Sequence, residues 1–128
     1  MLCPCQSGLT YTSCCRPFHD GKTALTAEQL MRSRYSAYVQ RDAAYLHKTW
    51  HMSTRPSLKQ LRQPEPVQWL GLVIVRAEQG TENDQSGLVE FIAHFAEHDL
   101  PQQLQETSHF IKEKGKWYYL SGDYSTSE

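Results

Sequence analysis

The chain has 128 residues and a formal net charge of −1, a length that suits one domain with at most a small appendage. With 39% apolar and 21% charged residues, it has the composition of a globular protein. That excludes a disordered chain, and the charge balance argues against a general binder of phosphate backbones. The longest apolar run, residues 70–75 with Gly71 inside it, falls far short of the roughly 18 residues a membrane helix needs.

All four cysteines, Cys3, Cys5, Cys14 and Cys15, lie in the first 15 residues, spaced C-x-C-x8-C-C. The N-terminus carries neither the basic nor the apolar stretch of a secretory signal, so a cytoplasmic, reducing setting is expected. There, clustered cysteines indicate metal chemistry rather than a disulfide framework. Zinc takes four soft, deprotonated ligands at tetrahedral corners. Cys3 and Cys5 bite from one tight turn, Ser7-Gly8 helps return the chain, and Cys14 and Cys15 complete the set. His19 is a reserve ligand able to replace one of the paired cysteines. A full tetrahedron leaves no open position, so one structural zinc is expected, with Arg16 and backbone N–H groups offsetting its negative charge. Two alternatives stand beside this: free thiols without metal, and a redox switch pairing Cys14 with Cys15.

Cys3-Pro-Cys-Gln-Ser-Gly and Tyr11-Thr-Ser-Cys14-Cys15 resemble the SEC-C motif, a zinc knuckle also found at the tail of the SecA translocation ATPase. The resemblance implies bound zinc and, from SecA, contacts with protein partners. Two positions depart from it. Gln6 replaces the usual glycine, and Leu9 and Thr10 replace the usual basic residues.

After a short connection, Thr26 and Gln29 form a capping box that predicts a helix over 27–40. Leu30, Arg34, Ala37 and Met31, Tyr35, Tyr38 give that helix one broad buried face. Asp42 caps a second helix with Ala43, Leu46 and Trp50 along one side. Residues 51–56 break it, and Ser57 with Gln60 opens a short third helix that ends before Pro64 and Pro66. Residues 67–77 are rich in β-branched residues and apolar on both faces from Trp69 to Val75, which predicts a central strand. A polar loop follows over 79–86, then strands over 88–98 and 104–113. Lys114-Gly115 is a hairpin turn into a last strand over 117–120, with a frayed tail after Asp123.

Helices first and an antiparallel meander second predict an α+β domain with the helices on one face of the sheet. The body resembles the NTF2-like (cystatin-like) fold, in which helices close a curved antiparallel sheet into a cone. More narrowly, the whole chain resembles the YchJ-like family. The residues that carry this are the cysteine motif, Met31-Arg-Ser-Arg-Tyr-Ser-Ala-Tyr38, Thr49-Trp-His51 with Ser-Thr-Arg-Pro56, and Lys116-Trp-Tyr-Tyr-Leu-Ser-Gly122. The expected division is a knuckle over 1–20 and an NTF2-like domain over 21–128.

His94-Phe-Ala-Glu-His98 matches the H-x-x-E-H zinc-hydrolase pattern. That pattern needs a helix, whereas residues four apart on a strand lie about 13 Å apart, too far to share an ion. A strand is expected here, so no catalytic residues are assigned. Tyr35, Trp50, His51, Trp69 and His94 are candidates to line a pocket between helices and sheet. Arg32, Arg34 and Arg41 do not share one helix face, so no nucleic-acid groove is indicated, and solvated positions or single ion pairs are expected. The leading expectation is a zinc-binding protein-interaction module whose knuckle presents Leu9, Tyr11 and Phe18 to a partner or to the body itself. The alternative is a small-molecule-binding protein or enzyme that uses the cone pocket.

Overall fold

The computed structural model describes residues 1–126. The cysteine segment contains a 3-10 turn, Tyr11–Ser13, and a one-turn helix α1, Arg16–His19. Three helices follow: α2 (Ala27–Gln40), α3 (Ala43–Lys48) and α4 (Leu58–Leu61). The remainder is four strands, β1 (Val67–Gln79), β2 (Ser86–Glu97), β3 (Leu100–Glu113) and β4 (Lys116–Thr126), in one antiparallel sheet of order β1-β2-β3-β4.

The helix starts follow their local sequence signals. The Thr26 hydroxyl accepts from the Gln29 N–H at 3.1 Å, while the Gln29 side chain accepts from the Leu25 N–H at 2.8 Å, one residue before the cap. Asp42 Oδ1 accepts from the Tyr45 N–H at 3.1 Å, and Ser57 with Gln60 makes both bonds of its capping box. The second helix was expected to reach Trp50 but ends at Lys48. The backbone beyond it is taken up by the sheet: Tyr119 N–H donates to the Thr49 carbonyl at 2.9 Å and His51 N–H donates to the Tyr119 carbonyl at 2.8 Å.

Three strand expectations change. β1 is an edge strand and not a central one. Its apolar residues Leu70, Val73 and Val75 remain about half exposed, and register shifts at Trp69/Gly71 and Ile74/Arg76 mark bulges along it. β3 begins at Leu100, because the preceding turn falls on His98 and Asp99, both in left-handed backbone at φ 52° and 65°. β4 runs on to Thr126 where fraying was expected after Asp123, since Glu106 pairs with Tyr124 and Leu104 with Thr126; the last two residues of that expected tail lie outside the described residues.

The core lies between α2 and the sheet. Leu30, Met31 and Tyr35 from α2 pack with Leu72, Val89, Phe91, Phe110 and Trp117. Cys3, Cys5 and Cys15 belong to the same cluster. Residues 1–20 therefore share the apolar core of the rest of the chain.

Candidate metal centre and cone cavity

The sulfur atoms of Cys3, Cys5, Cys14 and Cys15 all lie within 4.8 Å of one another. Cys5 and Cys14 are 3.6 Å apart, and Cys14 and Cys15 are 3.9 Å apart. A tetrahedron with zinc–sulfur bonds of about 2.3 Å has edges of about 3.8 Å. The donor set therefore fits a four-thiolate metal ion in both size and chemistry. The same distances are far beyond a sulfur–sulfur bond, and all four cysteines are free.

Local chain geometry gathers the sulfurs. Gln6 adopts left-handed backbone, φ 62°, immediately after Cys5, and Gly8 follows at φ 92°. The Cys3 N–H then bonds the Leu9 carbonyl at 2.9 Å, closing the loop. Ser7 Oγ lies 3.1 Å from Cys14 Sγ and Ser36 Oγ lies 3.4 Å from Cys3 Sγ. The hydrogen bond from the Cys15 thiol holds the Cys5 thiol down to about 4. The same bond pushes Cys15 up, and burial pushes Cys14 up. One negative charge shared among four crowded sulfurs suppresses further ionisation, which a divalent cation would restore.

His19 stands outside this group. Its Nε2 donates to the Ser33 carbonyl on α2 at 2.8 Å and its Nδ1 lies 2.8 Å from the Tyr11 hydroxyl in the 3-10 turn, so both ring nitrogens are engaged away from the sulfurs. Arg16 does not offset the cluster either. It faces Asp20 at 3.5 Å on the surface. The cation at the cluster is Arg32, whose Nη1 donates to the Cys5 carbonyl at 3.0 Å and lies 4.0 Å from Cys5 Sγ. Gln6 is the knuckle's link to the sheet. Its Oε1 accepts from the Leu72 N–H at 3.2 Å beside the first β1 bulge, and Gly71 is the residue that leaves room for it.

Between α2 and the sheet lies a cavity of about 230 Å³. Of the candidate pocket residues, Tyr35, Trp50 and Trp69 line it. His51 does not. Its ring bridges Ser53 Oγ and the Glu113 carboxylate at the surface, tying the loop after α3 to the β3–β4 hairpin. His94 does not either. Phe91 and Ala93 face the cavity, and strand alternation turns His94 to the other side of the sheet. Residues 86–97 are indeed a strand, and the four cysteines are the only metal-competent group among the described residues.

The cavity floor holds polar residues that were not among the pocket candidates. Arg34 is 2% exposed and Glu106 is 7% exposed. Arg34 is therefore neither solvated nor ion-paired among the described residues. Its Nη1 donates to the Leu46 carbonyl at 3.0 Å and to Thr49 Oγ1 at 2.7 Å, and its guanidinium packs against the Trp50 and Tyr119 rings, which meet edge to face. Glu106 Oε2 accepts from Ser108 Oγ and, at 3.4 Å, from the Tyr119 hydroxyl. Burial pushes the Glu106 carboxyl up and Arg34 down. A signal for Arg34 was present, an arginine within the apolar face of a helix. Glu106 carried none until the phase of β3 was known.

Known proteins place this arrangement. A family model described as "YchJ, middle NTF2-like domain" matches residues 26–122. A UPF0225 protein of Chromobacterium violaceum is 44% identical over 94% of this chain and 90% of its own length. One of Enterobacter sp. (strain 638) is 43% identical over 94% of this chain and 82% of its own length. The solution structure of a SEC-C motif containing protein from Rhodopseudomonas palustris superposes with a TM-score of 0.86 at 34% identity, covering 96% of this chain and 98% of that one. A crystal structure of a SEC-C motif containing protein from Psychrobacter arcticus gives 0.80 at 32% identity, covering 98% and 84%. The matched residues, the α+β architecture and the N-terminal cysteine cluster agree, and the chain belongs to the YchJ family of SEC-C motif proteins with an NTF2-like domain.

Proposed function

We propose that this is a zinc protein whose single ion, held by Cys3, Cys5, Cys14 and Cys15, is structural and fastens residues 1–20 to the NTF2-like body. The observation that carries the reading is the near-tetrahedral spacing of four sulfurs, three of them in the main core. An all-thiolate donor set favours zinc, and a closed set leaves the ion no position for substrate. Zinc supplies charge neutralisation and a rigid crosslink. The chain's own residues do the rest: Arg32 and Ser7 support the sulfurs, while Gln6 and His19 dock the loop. Such a site suits a reducing, cytoplasmic setting. The test is metal content and thiol accessibility on protein purified without chelator. One zinc per chain with four protected thiols is expected. Metal-free protein with reactive thiols would overturn the reading and favour a redox role.

The interaction role rests on what docking leaves over. Tyr11 and Phe18 pack against the body. Leu2 and Leu9 stay 68% and 55% exposed, and they are the knuckle's free apolar surface for a protein partner. Replacing both with serine is expected to abolish partner binding at unchanged metal content. Unchanged binding would remove the knuckle from the interface.

A further inference from the structure

The cone cavity contains more polar chemistry than packing requires. Arg34 and Glu106 are both buried, yet they form no ion pair with each other. Burying a guanidinium and a carboxyl without pairing them is costly, and a core with only a structural role would place apolar side chains there. The close hydrogen bonds of Arg34 come from Nη1, and those of Glu106 fall on Oε2. The Tyr38 hydroxyl also interacts with the Arg34 guanidinium and the Tyr124 hydroxyl with the Glu106 carboxyl. Both charged side chains and both tyrosines line the cavity.

The surroundings preserve that arrangement. The Arg34 guanidinium packs against a pair of edge-to-face rings, 5.0 Å from the Trp50 centroid and 4.7 Å from that of Tyr119, which are themselves 4.9 Å apart, so its position at the cavity floor is fixed from that side. On β4, Gly122 passes directly beneath the Glu106 carboxyl. A Cβ there would collide with Oε2 and come within 2.8 Å of the Tyr119 hydroxyl. A glycine inside a strand weakens it, and here the missing side chain is the room the carboxyl occupies. The walls around the floor are Met31, Tyr35, Trp50, Trp69 and Phe91. The volume of about 230 Å³ lies below the roughly 300–1,000 Å³ typical of sites for drug-sized ligands, which limits the guest to about one ring and a short substituent.

We infer that the cone cavity is a binding site for a small ring-bearing carboxylate, whose anionic end is held by the Arg34 guanidinium at the cavity floor. A guanidinium edge fits the two oxygens of a carboxylate in a bidentate pair, and the aromatic walls cover the ring. The site is separate from the cysteine cluster and does not depend on the metal reading.

Benzoate is the probe, benzamide its neutral isostere, and the full metal-loaded chain the sample. Trp50 and Trp69 both line the cavity, so tryptophan fluorescence reports occupancy, and amide shifts at Ala93 and Ser108 locate it. Benzoate is expected to bind, with benzamide at least roughly tenfold weaker. Arg34→Gln is expected to reduce benzoate to the level of benzamide. Ala93→Leu fills the cavity from the sheet without touching the polar floor, and is expected to abolish binding even if Arg34→Gln does not fold. Equal binding of the two probes, binding that survives Ala93→Leu, or no binding of benzoate at millimolar concentration would each overturn the assignment.

Discussion

The cysteine knuckle and the cone cavity handle buried charge in opposite ways. In the knuckle, four thiols crowd within 4.8 Å and are suited to share one cation, with Arg32 close by. In the cavity, a guanidinium and a carboxyl are enclosed together and are held by neutral hydroxyl and carbonyl groups rather than by an ion pair. The knuckle is assembled within 15 residues. The cavity draws Arg34 from α2, Glu106 from β3 and Tyr124 from β4, side chains separated by most of the chain. A short-range site can be closed by one ion, whereas a long-range one is held by the whole fold. The two regions should therefore respond differently to mutation.

The largest effect is expected at the knuckle. The sequence alone suggests that Cys3→Ser would release the metal and disorder the N-terminus while leaving the body folded. Because Cys3 packs in the same core as Tyr35 and Leu72, the variant is expected to lose its metal and destabilise the whole chain by more than about 3 kcal/mol. That corresponds to a fall of about 10 °C in Tm, read by thermal unfolding alongside metal content. A variant that loses metal while its body keeps the parent Tm would show two independent units.

Next is Gly122→Ala, where the added Cβ meets the Glu106 carboxyl. A cost of about 1–2 kcal/mol is expected. In a Glu106→Ala background most of that cost should vanish, because the obstructing group is gone. An undiminished cost in the double variant would mean that the strand, and not the carboxyl, requires the glycine.

Glu106→Gln probes the charge directly. Burial raises the carboxyl in the folded state, so the folded protein holds that proton more tightly than the unfolded chain does. Stability from this group is full below the unfolded value and is lost as pH rises through the raised folded value. Thermal unfolding of the parent from acid to neutral pH is expected to show that loss, and Glu106→Gln to flatten it. Identical profiles would show that the carboxyl's ionisation is not linked to folding.

The smallest effect is expected at the joint between the two regions. Gln6→Ala removes the acceptor for the Leu72 N–H and should cost about 1 kcal/mol. Amide exchange at Leu72 should quicken while the metal is retained. Unchanged exchange would mean that the side chain is not the fastener.

Thr26, Asp42 and Ser57 marked their helix starts because a cap is made within three residues of itself. The cysteine spacing was readable for the same reason, and the α+β order followed from the switch between helical and strand patterns. The edge position of β1 was not readable. Apolar residues on both faces record what a strand packs against, not which strands flank it. The histidines misled in a similar way. His51 and His94 have the chemistry of a pocket, but backbone pairing and strand alternation direct them elsewhere.

Residue order alone specified the elements of this protein, their caps and the cysteine cluster, since each depends on neighbours a few positions apart. The route of the knuckle onto α2 and β1 was a matter of long-range packing, as were the separation of His19 from the sulfurs and the confinement of Arg34 with Glu106. A side chain's burial and bonding partners are set by groups brought together across the folded sheet, and no local pattern records those encounters.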